Sequence, residues 1–230
     1  MKHALIGSGE YLPPMAAVDR ALLDRLGSTP RVVCLPTAAA TEGAAVIERW
    51  TSMGETHFRS LGVAAQSVRV VDRVSAADPA HAAAIAAANF VYLSGGKPDF
   101  LYTTLVDTPV WTAIEALLAN GGLLAGCSAG AMVQGDAFFG FPGKKSGFGL
   151  LPGVTVVPHF DEIPGALVSG VRLMLGRSLT LVGVDGNTAL LRDGDRLEII
   201  GRGGVTIWND AGKKRYTAGP LPASLLPPFS

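Results

Sequence analysis

In "LAGCSAGAMV", residues 124–133, Ser128 stands between Gly126 and Gly130 in a GxSxG pentad, with Cys127 just before it. Such a pentad suits a nucleophilic serine on a sharp strand-to-helix turn, where larger neighbours would collide. In a chain with 29 glycines the pattern alone carries little weight. Its position carries more, because it directly follows an apolar run that is itself preceded by a helix stop. The same spacing also fits a tight connection without chemistry, and Cys127 is a second nucleophile to weigh. A serine hydroxyl needs a base, and histidine is the usual one. Of the four histidines, His3 opens the first strand run at the end away from Ser128. His57 and His81 fall in helical segments, where they face solvent or packing. His159 ends the strand-like run "VTVVPHFDE" and projects at the same carboxyl edge as Ser128, so it is the expected base. Backbone N–H groups must meet the developing oxyanion. Ala129, at the start of the next helix, can supply one. The glycines of "SGG", Gly95 and Gly96, can supply the other, because they let a backbone approach a ligand closely.

These residues need a frame. The runs "HALIG", "RVVCLP", "SVRVV", "NFVYLSGG" and "LLAGCS" are short, apolar or β-branched, and end in Gly, Pro or Ser. They read as buried parallel strands. Helical segments over 14–26, 42–62, 78–88 and 109–120 alternate with them. The last is capped by Thr108, opened by Pro109 and stopped by Gly121, with Val110, Ile114, Leu117 and Leu118 on one stripe. Repeated βα units predict an α/β fold: a three-layer, mostly parallel sheet flanked by helices. "LVGVDG", "TALLRDG", "RLEIIG" and "GVTIWND" predict C-terminal β-hairpins extending one edge. The tail "GPLPASLLPPFS" reads as irregular. The Gly, Phe and Lys content of 137–149 suggests a mobile segment. With no linker or repeat, residues 1–230 are expected to form one domain.

Composition excludes other classes. Nineteen basic and nineteen acidic residues leave no net charge, so the chain lacks the footprint of a nucleic-acid binder. No apolar tract is long enough to span a bilayer or serve as a signal segment, which predicts a cytoplasmic setting and no membrane partner. Cys34 and Cys127 show neither disulfide-framework nor zinc-ligand spacing. Gly7-Ser8-Gly9 lacks the rest of a dinucleotide fingerprint and runs into Pro13-Pro14, so nucleotide binding is not expected there.

"YLSGG", "GCSAGA", "PHFDE" and "GVDGNTALL", in this order, resemble the peptidase E and cyanophycinase group of serine peptidases, whose fold is similar to class I glutamine amidotransferases. The resemblance covers nearly the whole chain. It implies Ser128 as nucleophile, His159 as base, and Gly96 and Ala129 as oxyanion donors. Cys127 sits one place before the amidotransferase nucleophile position, so its side chain should point away into packing. The acid that orients His159 departs from the family pattern. Asp136 is the only carboxylate in the loop between serine and histidine and is the first candidate, followed by Asp185 and Glu162. Gly186 replaces the glutamate of the cyanophycinase-like "GIDE" motif. Asp161 reads as a surface or substrate-contacting residue. Gly95, Lys97 and Arg172 are the substrate-binding candidates, and Lys144 and Lys145 read as a solvated pair.

The expected function is hydrolysis of small peptides, with N-terminal Asp-X dipeptides as one substrate class, through a Ser-His acyl-enzyme. No metal or organic cofactor is required, and the chain is expected as a monomer or homodimer. The alternative reading is an amidotransferase-like domain of other specificity, or without catalysis, that binds a small amide ligand.

Overall fold

A computed structural model describes residues 1–140, 142–176 and 178–228. Phe141 of the 137–149 segment and the last two residues of the tail fall outside this description. Strands β1 (Lys2–Ile6), β2 (Arg31–Leu35), β3 (Ala64–Ser67), β4 (Phe90–Leu93) and β5 (Leu123–Cys127) lie parallel in the order β3-β2-β4-β5-β1. Their side chains alternate between two cores. Val32, Cys34, Phe90, Tyr92, Ala125 and Cys127 face helices α1 (Ala16–Leu23) and α2 (Ala44–Ser60). Val33, Leu35, Val91, Leu93 and Leu124 face the other layer. That layer holds α3 (Arg73–Ala76), α4 (Pro79–Ala86), α5 (Pro98–Leu105) and α6 (Pro109–Ala119). Both faces are therefore apolar, which is why these strands read as unbroken hydrophobic runs.

Local signals hold at α6. The Thr108 side chain accepts from the Trp111 N–H at 3.3 Å, Pro109 opens the first turn, and Gly121 follows the helix at φ 81°. β3 differs from the expected "SVRVV". It occupies the preceding residues, because pairing of Ala64–Ser67 with Arg31–Cys34 sets its place at the sheet edge. Val68 and Val70 are buried beyond it.

After β5 come α7 (Ala129–Met132), the hairpin β6 (Ala137–Gly140) and β7 (Gly143–Ser146), β8 (Val154–Val157), α8 (Gly165–Leu175) and β9 (Thr180–Val184). The 137–149 segment thus has regular structure on both sides of its tip. β10 (Thr188–Asp193) pairs antiparallel with β1 and extends that edge through β11 (Arg196–Asn209), β9 and β8. The expected strands "RLEIIG" and "GVTIWND" are one strand, β11, with a register shift between Ile199 and Gly204 in place of a turn. β12 (Gly212–Leu221) pairs with β11 and absorbs the start of the supposedly irregular tail. Pro220 is tolerated there because β12 is an edge strand. Ala131 of α7 packs in one cluster with Leu151, Val154 and Val156, so the far end of the sheet comes back over α7.

Candidate active site

Ser128 follows β5 with φ 52° and ψ −112°, a conformation that an L-residue keeps only when its surroundings impose it. Its N–H donates to the Ile6 carbonyl at 3.0 Å, which ties the turn to β1. The flanking glycines are steric requirements. A methyl on Gly126 would lie 2.1 Å from the Gly130 carbonyl oxygen, and one on Gly130 2.3 Å from that of Leu93. α7 therefore sits directly on β4 and β5, and the hydroxyl stands at the top of the sheet.

His159 follows β8, also at positive φ (51°), and its Nε2 lies 3.2 Å from Ser128 Oγ. That is the reach a base needs to take a hydroxyl proton. The two residues are 31 positions apart and meet only because β8 returns over α7.

The acid is where the expected order fails. Asp136 is exposed and makes no hydrogen bond or ion pair with His159 among the described residues; its backbone N–H donates to the Val154 carbonyl at 2.8 Å. Asp185 is buried, ion-paired with Arg215, and accepts the Gly204 N–H at 2.8 Å. It secures the β9–β10 turn to β11. Glu162, third in that order, places Oε2 3.4 Å from His159 Nδ1, with its side chain 63% exposed. Asp161 accepts the N–H of Gly186, the residue that replaces the motif glutamate, at 2.8 Å. It lies exposed at the surface and ties the loop after His159 to the β9–β10 turn.

On the other side of Ser128, a methyl on Gly95 would lie 3.3 Å from Ser128 Cβ, so this loop is packed against the serine. Gly96 has φ 138°, and any side chain there would strike the Ala38 backbone. The N–H groups of Gly96 and Ala129 have no protein acceptor among the described residues. Lys97 follows Gly96 and is exposed. Arg172 does not join the site. Its guanidinium is hydrogen-bonded to the Leu179 carbonyl and stacked over Trp208, 5.7 Å from the ring centroid.

Sequence reasoning missed Glu10. Its carboxylate accepts the Gly95 N–H at 2.9 Å and the Cys127 S–H at 3.0 Å. Burial, reinforced by this carboxylate, pushes the Cys127 thiol well above its ordinary value. Cys127 is therefore a protonated packing group, as its position before the serine implies. Glu10 stands at the carboxyl end of β1, a place visible in sequence; that β1 lies beside β5 is not. "GSGE" itself is occupied by the protein: the Gly7 N–H donates to Thr188, and Ser8 accepts from Asn187. His57 bonds Asp19 at 2.7 Å inside the α1–α2 packing, and His81 bonds the Ser75 carbonyl at 2.8 Å. No cluster of metal-ligating side chains occurs among the described residues. No helix among them is long and apolar enough to cross a membrane.

A serine on a strained turn above a parallel sheet, with a histidine at its hydroxyl, defines a serine hydrolase site on a three-layer α/β fold. The chain belongs to peptidase family S51, which matches residues 4–200, and is a serine-type peptidase. It is 29% identical over 221 residues to a cyanophycinase of Trichormus variabilis, covering 88% of this chain and 72% of that one. It is 26% identical over 206 residues to a cyanophycinase of Geminocystis herdmanii, covering 79% and 70%. A peptidase from an acI-B1 Actinobacterium superposes with TM-score 0.89 at 33% identity, over 96% of both chains. A putative peptidase E protein from Listeria monocytogenes shares the fold, with TM-score 0.62 at 17% identity, over 94% of this chain and 98% of that one.

Proposed function

We propose that the protein hydrolyses small peptides through an acyl-enzyme on Ser128. The observation that carries this reading is the 3.2 Å approach of His159 Nε2 to a hydroxyl held at φ 52°. His159 takes the Ser128 proton as Oγ attacks the scissile carbonyl, and the oxyanion is met by the N–H groups of Gly96 and Ala129. The C–N bond then breaks, and the imidazolium gives its proton to the leaving amine. Water, activated by the same imidazole, hydrolyses the ester and restores Ser128. Glu162 stabilises the imidazolium from Nδ1. Lys97, next to the oxyanion donors, gives the acyl side a cation suited to an acidic residue, which supports Asp-X dipeptides as the first substrates to try.

The test is amine release from Asp-Leu, Glu-Leu, Ala-Leu and β-Asp-Arg by wild type and Ser128→Ala. Cleavage should fall by about 10⁴-fold or more in Ser128→Ala and in His159→Ala. Activity that survives Ser128→Ala would overturn the assignment. A folded wild type that cleaves nothing would favour binding of an amide ligand instead.

A further inference from the structure

A cavity opens at Ser128. It has a volume of about 270 Å³ and holds Ser128 and His159 in its wall. The rest of its described lining is apolar, with Met132, Phe139, Val156, Ile163, Val171 and Leu175 contributing most of the surface. We propose that this pocket receives the side chain of the residue that leaves, so that the enzyme selects peptides with an aliphatic or aromatic residue immediately after the scissile bond. The proposal rests on the Ser128–His159 reading above and adds to it the chemical class of the leaving residue.

The side of the scissile bond follows from the geometry. The attacked carbonyl must turn its oxygen toward Gly96 and Ala129, and neither lines the pocket. The amine it releases must face His159 Nε2 to be protonated. The pocket opens on the His159 side, between β8, α8 and the β6–β7 hairpin, so it faces the leaving residue. The volume suits one side chain of a small peptide and lies below the range that encloses larger ligands.

The chemistry follows from the lining. Val171 and Leu175 are spaced i, i+4 on α8 and project together into the pocket. Arg172, one residue round the helix, is committed to Trp208 and Leu179 and lines a different groove. A leaving arginine or aspartate would therefore lose water without gaining an ionic partner in the pocket, which is unfavourable. A leucine or phenylalanine side chain would give up no hydrogen-bonded water and would cover apolar surface. Phe139 adds a separate observation. It lines the pocket and is 36% exposed, while Phe138 beside it on the same strand is fully buried. A substrate side chain in the pocket would cover that ring.

The experiment measures Asp-X and Ala-X series, with X as Ala, Leu, Phe, Asp and Arg, by cleavage with wild type and by calorimetric binding to uncleaving Ser128→Ala. Leu and Phe should exceed Ala by roughly 10- to 100-fold in kcat/KM, with Asp and Arg below Ala, and the binding order should match. Phe139→Ala, at an exposed position where folding is least at risk, should lower the Leu-to-Ala ratio. Val171→Asp should invert the Leu-to-Arg preference. Equal treatment of every X in both cleavage and binding would overturn the proposal, as would ratios that neither variant moves. The binding arm separates the two readings: without Ser128-dependent cleavage, a Leu-over-Arg order that Phe139→Ala weakens would retain the pocket and discard the mechanism.

Discussion

At the scale of single residues, the carboxylates sort by what they touch. Glu162→Gln should lower kcat less than about tenfold, because an ion pair this exposed is worth under about 1 kcal/mol. Asp136→Asn should leave kcat unchanged. Asp185→Asn should act on stability instead, since it weakens the contacts to Arg215 and the Gly204 N–H. Steady-state kinetics and thermal unfolding of the three variants separate these outcomes, and a larger kcat loss in Asp136→Asn than in Glu162→Gln would reverse the assignment. Glu10 is a positioning residue. It accepts the Gly95 N–H and so steadies the loop that carries the Gly96 N–H, the oxyanion donor proposed above. Glu10→Ala should lower kcat by about tenfold or more with little change in KM, in line with losing part of one oxyanion donor. Glu10→Gln, which still offers an acceptor oxygen, should recover most of it. A KM effect alone, or no recovery in Glu10→Gln, would remove Glu10 from this role.

At the scale of elements, the contact between α7 and β4 is the tightest constraint on the site. Gly130→Ala would drive a methyl into the Leu93 carbonyl and lift α7 with Ser128. A loss of about 1–3 kcal/mol in stability, together with most of the activity, is expected from denaturant unfolding and peptide assays. Full activity in a variant of unchanged stability would mean that the turn adapts. Much of this level can be read from sequence. The GxSxG spacing announces the close approach, the Thr108–Pro109 start and Gly121 stop bound α6, and unbroken apolar runs mark strands covered on both faces. The rest depends on pairing between distant segments. β11 reads as two strands because "GRGG" looks like a turn, whereas pairing with β9, β10 and β12 keeps the chain extended through it. α8 has Pro164 at its N-cap but no capping side chain, so its start is announced more weakly than that of α6. Asp136 ranks ahead of Glu162 on sequence, and only the turn after β8, closed by the Glu162 N–H on the His159 carbonyl, brings Glu162 beside the imidazole.

At the scale of the whole molecule, stability is coupled to proton uptake inside the sheet. His3 lies in β1, and burial lowers its pKa to about 4, with the Gln134 hydrogen bond opposing the shift. The folded value lies below the ordinary one of 6.5, so unfolding takes up a proton as the medium acidifies. This contribution is fully present above pH 6.5 and is lost as pH falls toward 4, a change of roughly 3 kcal/mol. Urea unfolding between pH 7 and 4 should show the decline, and His3→Gln should flatten it; identical slopes would show that other groups carry the acid sensitivity. Across 1–230 we expect one cooperative transition. The placement of β1 has a further consequence. It lies between β5 and β10, paired with Leu123–Cys127 on one edge and Thr188–Asp193 on the other. During synthesis β1 leaves the ribosome before both of its partners, and it keeps an open, adhesive edge until β10 has emerged to cover it.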